Sequence, residues 1–265
     1  MSQLLSARWT PPPTRPLVLG HRGARHAAPE NTFAAFDLAL REGAEGVELD
    51  VRMNAGGDVI VCHDVTLERV TKGRDLRAID DLGTAECRAV RLEGGERLPF
   101  LREVLDWADE RGACLNVELK TDGRRRRALV RAVAELTRPR AKAGNVLISS
   151  FNPLAVLAHR ALAPAIASAW LVESAASSEL PLVPRAGSVA LHPKHTLITP
   201  ARLALWRARV GRVHAWTVND PVRARELAAL GVECLISDNP GRLIAALGAT
   251  ARAPEVHAGG GRLHE

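Results

Sequence analysis

The residues of this chain best suited to chemistry are two histidines, His21 and His63, and three acids, Glu48, Asp50 and Glu118. His21 and Arg22 follow the apolar run LVLG, and His63 and Asp64 close the run DVIVCHD. Glu48 and Asp50 are two apart in GVELDV, as are Glu118 and Lys120 in CLNVELK. In a strand that spacing puts each pair on one face, while Val47, Leu49 and Val51 take the other. Three carboxylates on neighbouring strands raise one another's pKa unless a cation lies among them. An all-oxygen set suits one hard divalent ion, Mg²⁺ or Ca²⁺. The competing assignment pairs these acids with Arg22, Arg52 and Lys120 as salt bridges. Their gathering on one side favours the metal. Two imidazoles beside such a cluster suit general acid and base work near neutral pH. A zinc site using both rings ranks lower, since the carboxylates alone satisfy a hard ion. Arg22 presents a fork of donors to phosphate oxygens, and Lys120 a point charge. The set describes hydrolysis of a phosphate ester.

Something must bring these residues together. Short apolar runs at 17–20, 46–51, 114–120, 145–150, 166–172, 188–193, 212–218 and 233–237 alternate with amphipathic, helix-period stretches. One of those stretches, near 177–186, is weak. Strict alternation predicts parallel strands with crossover helices, and length and count together predict a closed (β/α)8 TIM barrel. A doubly wound open sheet is the competitor. After the second strand comes a small insertion: DVIVCHD as an extra β segment, then a polar stretch to Arg97 over the barrel mouth. In such a barrel chemistry belongs at the carboxyl ends of the strands. His21, Arg22, Glu48, Asp50, His63, Glu118, Lys120, His192, Trp216 and Asp238 all fall there. Residues 16–248 read as one domain, flanked by a loosely ordered segment over 1–15 and a disordered tail over 249–265.

PENT at 29–32 offers Asn31 or Thr32 as the N-cap of the helix starting at Phe33. Glu30 is placed to hold Arg22 or a histidine. The chain of 265 residues carries a net charge of +6, mostly through arginine, which favours anionic partners without choosing one. The run RRRR at 124–127 opens a helix outside the barrel and reads as a solvated face. No aromatics interleave with it, so nucleic acid is not expected as a partner. Four scattered cysteines suggest neither a disulfide framework nor a zinc site. No secretory signal and no apolar run of membrane-spanning length is visible, so a cytoplasmic protein without stable membrane insertion is expected. Nothing in the sequence sets an oligomeric state.

HRG, PENT, ELDVRMNAGGDVIVCHD with its trailing TLERVTKG, NVELK, AWTVND and GVECLISDNP together resemble the glycerophosphodiester phosphodiesterase family, from about Leu17 to about Leu247. The resemblance implies a (β/α)8 barrel that hydrolyses small glycerophosphodiesters to sn-glycerol 3-phosphate and an alcohol, with Mg²⁺ or Ca²⁺, in glycerophospholipid degradation. It implies His21 and His63 as the acid/base pair and Glu48, Asp50 and Glu118 as metal ligands. It further implies Arg22 on phosphate, Lys120 as a phosphate or substrate contact and Trp216 beside the glycerol moiety. Whether the adjacent glycerol hydroxyl or water attacks phosphorus first stays open. A lysophospholipase D acting on larger lipids is the alternative. A non-catalytic phosphoester-binding barrel is disfavoured, because a binder has no use for two proton-transfer groups. Two departures stand out: LISDNP has serine where the family often has threonine, and residues 174–188 match poorly, implying a reduced fifth helix. His192 reads as a capping or supporting ring, and His214 has no partner pattern.

Overall fold

The computed structural model describes residues 7–174 and 190–248. The strands are β1 (Leu17–His21), β2 (Gly46–Met53), β3 (Val59–Val61), β4 (Cys114–Leu119), β5 (Val146–Ser150), β6 (Ala167–Val172), β7 (Ala190–Pro193), β8 (Arg212–Ala215) and β9 (Cys234–Ser237). Every strand except β3 pairs in parallel with its neighbours, and β1 meets both β9 and β2. That last pairing closes the sheet. The fold is a (β/α)8 barrel rather than an open doubly wound sheet. The helices described are α1 (Phe33–Arg41), α2 (Thr84–Ala89), α3 (Leu101–Arg111), α4 (Arg126–Thr137), α5 (Pro153–Leu162), α6 (Pro200–Arg207), α7 (Pro221–Ala229) and α8 (Pro240–Gly248). The weak helical stretch at 177–186 and the tail at 249–265 lie outside the described residues. Among the described residues no helix is long and apolar enough to cross a membrane.

Alternation along each strand divides the core in two. Val47, Leu49, Val51, Val117 and Leu119 point outward and pack under the helices with Phe36, Leu105 and Val133. Leu17, Leu19, Cys114, Leu147 and Cys234 point into the barrel and fill its amino-terminal half. Thr32 is the N-cap of α1, its hydroxyl accepting from the Ala35 N–H at 3.3 Å. Gly23, at φ +84°, lets the preceding loop lie on α1, since a Cβ there would come 2.6 Å from that of Ala35.

Two regions differ from expectation. The stretch after β3 is not merely polar: it contains α2, and Ile60, Cys62, Leu67, Ile79, Leu82 and Phe100 form a small core of their own. Its apolar residues are spaced too irregularly to show a period, yet they anchor the insertion to β3. The segment expected to be loosely ordered also holds a buried anchor. Trp9 is fully buried among the inward-facing side chains at the barrel's amino-terminal end. Its ring stacks on His214 at 6.0 Å, and its carbonyl accepts a hydrogen bond from Arg212. The ring closes the barrel floor. Trp9→Ala is expected to lower stability by about 3 kcal/mol. Leu76→Ala, at a side chain 65% exposed, is expected to stay within about 0.5 kcal/mol. Urea midpoints of the two variants check this, and equal midpoints would remove the plug from the account.

Candidate active site

The carboxyl end of the barrel opens into a cavity of about 300 Å³, lined by His21, Arg22, Glu48, His63, Glu118 and Lys120 among others. Parallel pairing of β2 with β4 sets Asp50 beside Glu118, and Glu48 beside Asn116. The carboxylates of Glu48, Asp50 and Glu118 each offer an oxygen within 4.8 Å of the other two, and all three residues are buried. Burial, then repulsion from Asp50 and Glu118, pushes the Glu48 carboxyl well above its usual range. Glu118 is pushed up to about 7, by burial first and Asp50 second. Asp50 goes the other way: burial would raise it, but Arg22, Lys120 and His63 hold it down. Arg22 Nε lies 3.1 Å from Asp50, and Lys120 Nζ lies 2.9 Å from Glu118 and 3.6 Å from Asp50. Both readings of the acids are therefore partly realised: Asp50 and Glu118 are ion-paired, yet the Glu48 and Glu118 carboxyls keep raised pKa values. Three hard oxygen donors in that state could hold a divalent cation.

Both histidines are held by a carboxylate at Nδ1. His21 Nδ1 is 2.6 Å from Asp238, and His63 Nδ1 is 2.6 Å from Asp64. An N–H given to the carboxylate leaves each Nε2 free for a second partner. His21 Nε2 lies 3.9 Å from Glu48. Burial lowers the His63 pKa, outweighing Asp50 and Asp64, which raise it. His63 is thus largely neutral near pH 7.

The loops that carry these groups are themselves tied down. Arg22 adopts a left-handed backbone at φ 57°, a conformation that costs a non-glycine residue about 1 kcal/mol or more. Its guanidinium donates to Glu30 at 2.9 Å, so Glu30 holds Arg22 rather than a histidine. Asn31, also left-handed at φ 57°, donates from Nδ2 to Asp50 at 3.0 Å. Arg69 grips Glu30 with two donors at 2.8 Å each and Asp64 with a third at 2.5 Å. Burial pushes Asp64 up, but the hydrogen bonds from Arg69 and His63 outweigh it and bring it down to about 2. Arg52 does not pair with the acid cluster. It donates twice to the His63 carbonyl, at 2.8 and 2.6 Å, and pairs with Asp122.

Of the residues expected at the site, His21, Arg22, Glu48, His63, Glu118, Lys120 and Trp216 line the cavity, and Asp50 clusters with Glu48 and Glu118. Trp216 follows β8 and donates from Nε1 to the His192 carbonyl at 2.7 Å, and Phe151 meets its ring edge-on at 5.3 Å. His192 itself turns away from the mouth. It is fully buried against His214, ring centres 4.7 Å apart, and burial drives both pKa values down. Sequence reasoning offers Asn31 only as a helix cap and singles out neither Arg69 nor Phe151. Each acts on a site group through tertiary contact, and the sequence signal was only their closeness to PENT, to the HD motif and to the end of a strand.

Residues 21–242 match the model of the glycerophosphoryl diester phosphodiesterase family. A glycerophosphodiester phosphodiesterase of Caldanaerobacter subterraneus is 29% identical over 240 residues, which is 86% of this chain and 96% of that protein. Among solved structures, a glycerophosphoryl diester phosphodiesterase of Silicibacter pomeroyi superposes with a TM-score of 0.83 at 26% identity, covering 95% of this chain and 99% of that one. An Oleispira antarctica phosphodiesterase, solved with its product sn-glycerol-3-phosphate, superposes with a TM-score of 0.78 at 28% identity, covering 88% and 97%.

The raised Glu118 makes metal binding compete with a proton. A carboxyl titrating near 7 must give up that proton before it ligates, so affinity for Mg²⁺ or Ca²⁺ should rise by at least about tenfold from pH 6 to pH 8. Calorimetric titration across that range checks it. A pH-independent affinity, or one unchanged in Glu118→Gln, would count against the cluster as the ion's seat.

Proposed function

The chain belongs to the glycerophosphoryl diester phosphodiesterase family, hydrolases of phosphoric diesters, and from that premise we propose that it cleaves small glycerophosphodiesters to sn-glycerol 3-phosphate and an alcohol. The observation that carries the reading is the pairing of two carboxylate-held histidines with three clustered acids around one small cavity. A phosphodiester needs its negative oxygens neutralised and two protons moved, one from the nucleophile and one to the leaving alcohol. Glu48, Asp50 and Glu118 would hold Mg²⁺ or Ca²⁺, whose bound charge would neutralise a phosphoryl oxygen. Arg22 and Lys120 line the cavity beside them and meet the remaining phosphoryl oxygens.

His21 and His63 are the proton-transfer pair. Asp238 and Asp64 fix their Nδ1 sides, so each ring presents Nε2 to the cavity. Neutral His63 suits the taking of a proton. Trp216, backed by Phe151, forms the apolar wall against which the glycerol carbons rest. The cavity volume of about 300 Å³ favours a small diester over a long-chain lysophospholipid. The four cysteines are free, buried thiols, which suits a reducing compartment such as the cytoplasm.

Release of glycerol 3-phosphate from glycerophosphocholine, with Mg²⁺, Ca²⁺, Mn²⁺ or chelator, tests the reading. His63→Ala and His21→Ala are each expected to lower kcat by about 10³ with the fold intact. Unchanged turnover in His63→Ala would sink the assignment, and faster cleavage of lysophosphatidylcholine would transfer it to larger lipids. Arg69→Met is expected to lower kcat about 10- to 100-fold while KM changes little, because it frees Asp64 and Glu30 together. A change confined to KM would make Arg69 a substrate contact instead.

A further inference from the structure

Away from the catalytic cavity, α4 and α5 pack side by side and leave a groove of about 680 Å³ between them. Its floor is small and apolar, with Ala155, Ala158 and Ala161 facing Val130. On the α5 side Leu154 and Leu162 are 67% and 43% exposed. On the α4 side stand Arg126, Arg127 and Arg131, all exposed, and among the described residues no acid lines the groove. The arginine run is thus divided by structure. Arg124 and Arg125 are engaged by Asp81 and Asp80, whereas the side chains of Arg126, Arg127 and Arg131 have no ion-pair partner among the described residues.

The upper end of the groove adjoins residues of the catalytic mouth along the chain. Thr121 and Asn152, hydrogen-bonded to each other at 3.3 Å, line its upper end. Thr121 directly follows Lys120, and Asn152 directly follows Phe151. Phe151 is 37% exposed and packs edge-on against Trp216. Phe151 stands beside Trp216 at the mouth, and Leu154, three residues on, and Leu162 line the groove, with arginines that have no ion-pair partner among the described residues along one flank.

We propose that this face docks on an anionic lipid bilayer, with Phe151 and Leu154 entering the interfacial layer and Arg126, Arg127 and Arg131 meeting lipid phosphates. Scattered exposed leucines need no explanation, but an apolar stripe bordered by unpaired cations matches the order of layers at a membrane surface. Long arginine stems can lie along the apolar groove while their heads reach the phosphates. A second copy of the chain fits worse, because a two-fold contact on this patch would set both arginine rows against each other. Docking here turns the catalytic mouth toward the surface where deacylation of phospholipids releases glycerophosphodiesters. Only that last sense rests on the reaction proposed above; the docking itself does not.

Sedimentation of the full-length chain with vesicles tests it, comparing phosphatidylcholine alone with a three-to-one mixture of phosphatidylcholine and phosphatidylglycerol. The protein is expected to sediment with the anionic vesicles at about 50 mM salt, to leave them at about 500 mM, and to ignore the neutral ones. Leu154→Asp, and separately the pair Arg127→Glu with Arg131→Glu, should each weaken partitioning by about tenfold or more. Turnover of soluble glycerophosphocholine should be unchanged in both. No sedimentation with anionic vesicles, or equal sedimentation of all three proteins, overturns the proposal. So does a concentration-dependent dimer in light scattering that Leu154→Asp abolishes, since the face would then bind its own copy. Turnover is read in the same samples, so failure of the assigned reaction shows there and not in the sedimentation.

Discussion

The repulsion among three buried carboxylates is the constraint around which the rest of the site is arranged. Glu48, Asp50 and Glu118 cannot move apart by a strand slip, because a one-residue shift of β2 against β4 would turn the acids outward. Their outward neighbours Val47, Leu49 and Val117 would then have to face the cavity, so the aliphatic shell locks the acids in place. Arg22 and Lys120 answer only part of the charge. Two cations stand against three acids, and burial together with the remaining repulsion favours the protonated form of Glu48 and pushes Glu118 up to about 7. A divalent ion seated among the acids would relieve the same repulsion.

The insertion after β3 supplies His63, and a loop outside the barrel is a poor place for a group that must be held to a fraction of an ångström. Its own small core around Leu67, Ile79 and Phe100 gives it rigidity. Two arginines then fix it to the barrel. Arg52, on β2, binds the His63 carbonyl, so the strand that carries two of the acids also sets the height of the ring. Arg69 joins Asp64, which orients His63, to Glu30, which orients Arg22. Groups from the first βα loop and from the insertion are thereby set by one guanidinium, whose planar fork suits two carboxylates at once.

What the sequence made legible was whatever follows a local period. The two-residue spacing in GVELDV and CLNVELK places acids inward and aliphatics outward, and the alternation of runs predicts the barrel. What stayed hidden depends on contacts between distant segments. Trp9 lies eight residues before β1 in a proline-rich stretch, and only the closed barrel shows that its end needs a plug. Of the two caps the sequence offers, Asn31 and Thr32, Thr32 takes the role, and the Asn31 amide binds Asp50, 19 residues away. His192 reads as a capping or supporting ring at a strand end, and His214 has no partner pattern in the sequence. Burial keeps them neutral, and they serve as aromatic filling.

Charge balance also bears on how a product would leave. With the acids ionised and Arg22 and Lys120 charged, the cluster carries one excess negative charge, and a bound divalent ion would turn this into one excess positive charge. A phosphodiester is a monoanion and matches that balance. Glycerol 3-phosphate is not: its second ionisation lies near pH 6, so at neutral pH it approaches a dianion. On the proposed reaction, hydrolysis thus adds negative charge to a cavity already walled by three carboxylates at low dielectric, where each unneutralised charge is felt strongly. The acids that would seat the ion for the diester then oppose retention of the monoester.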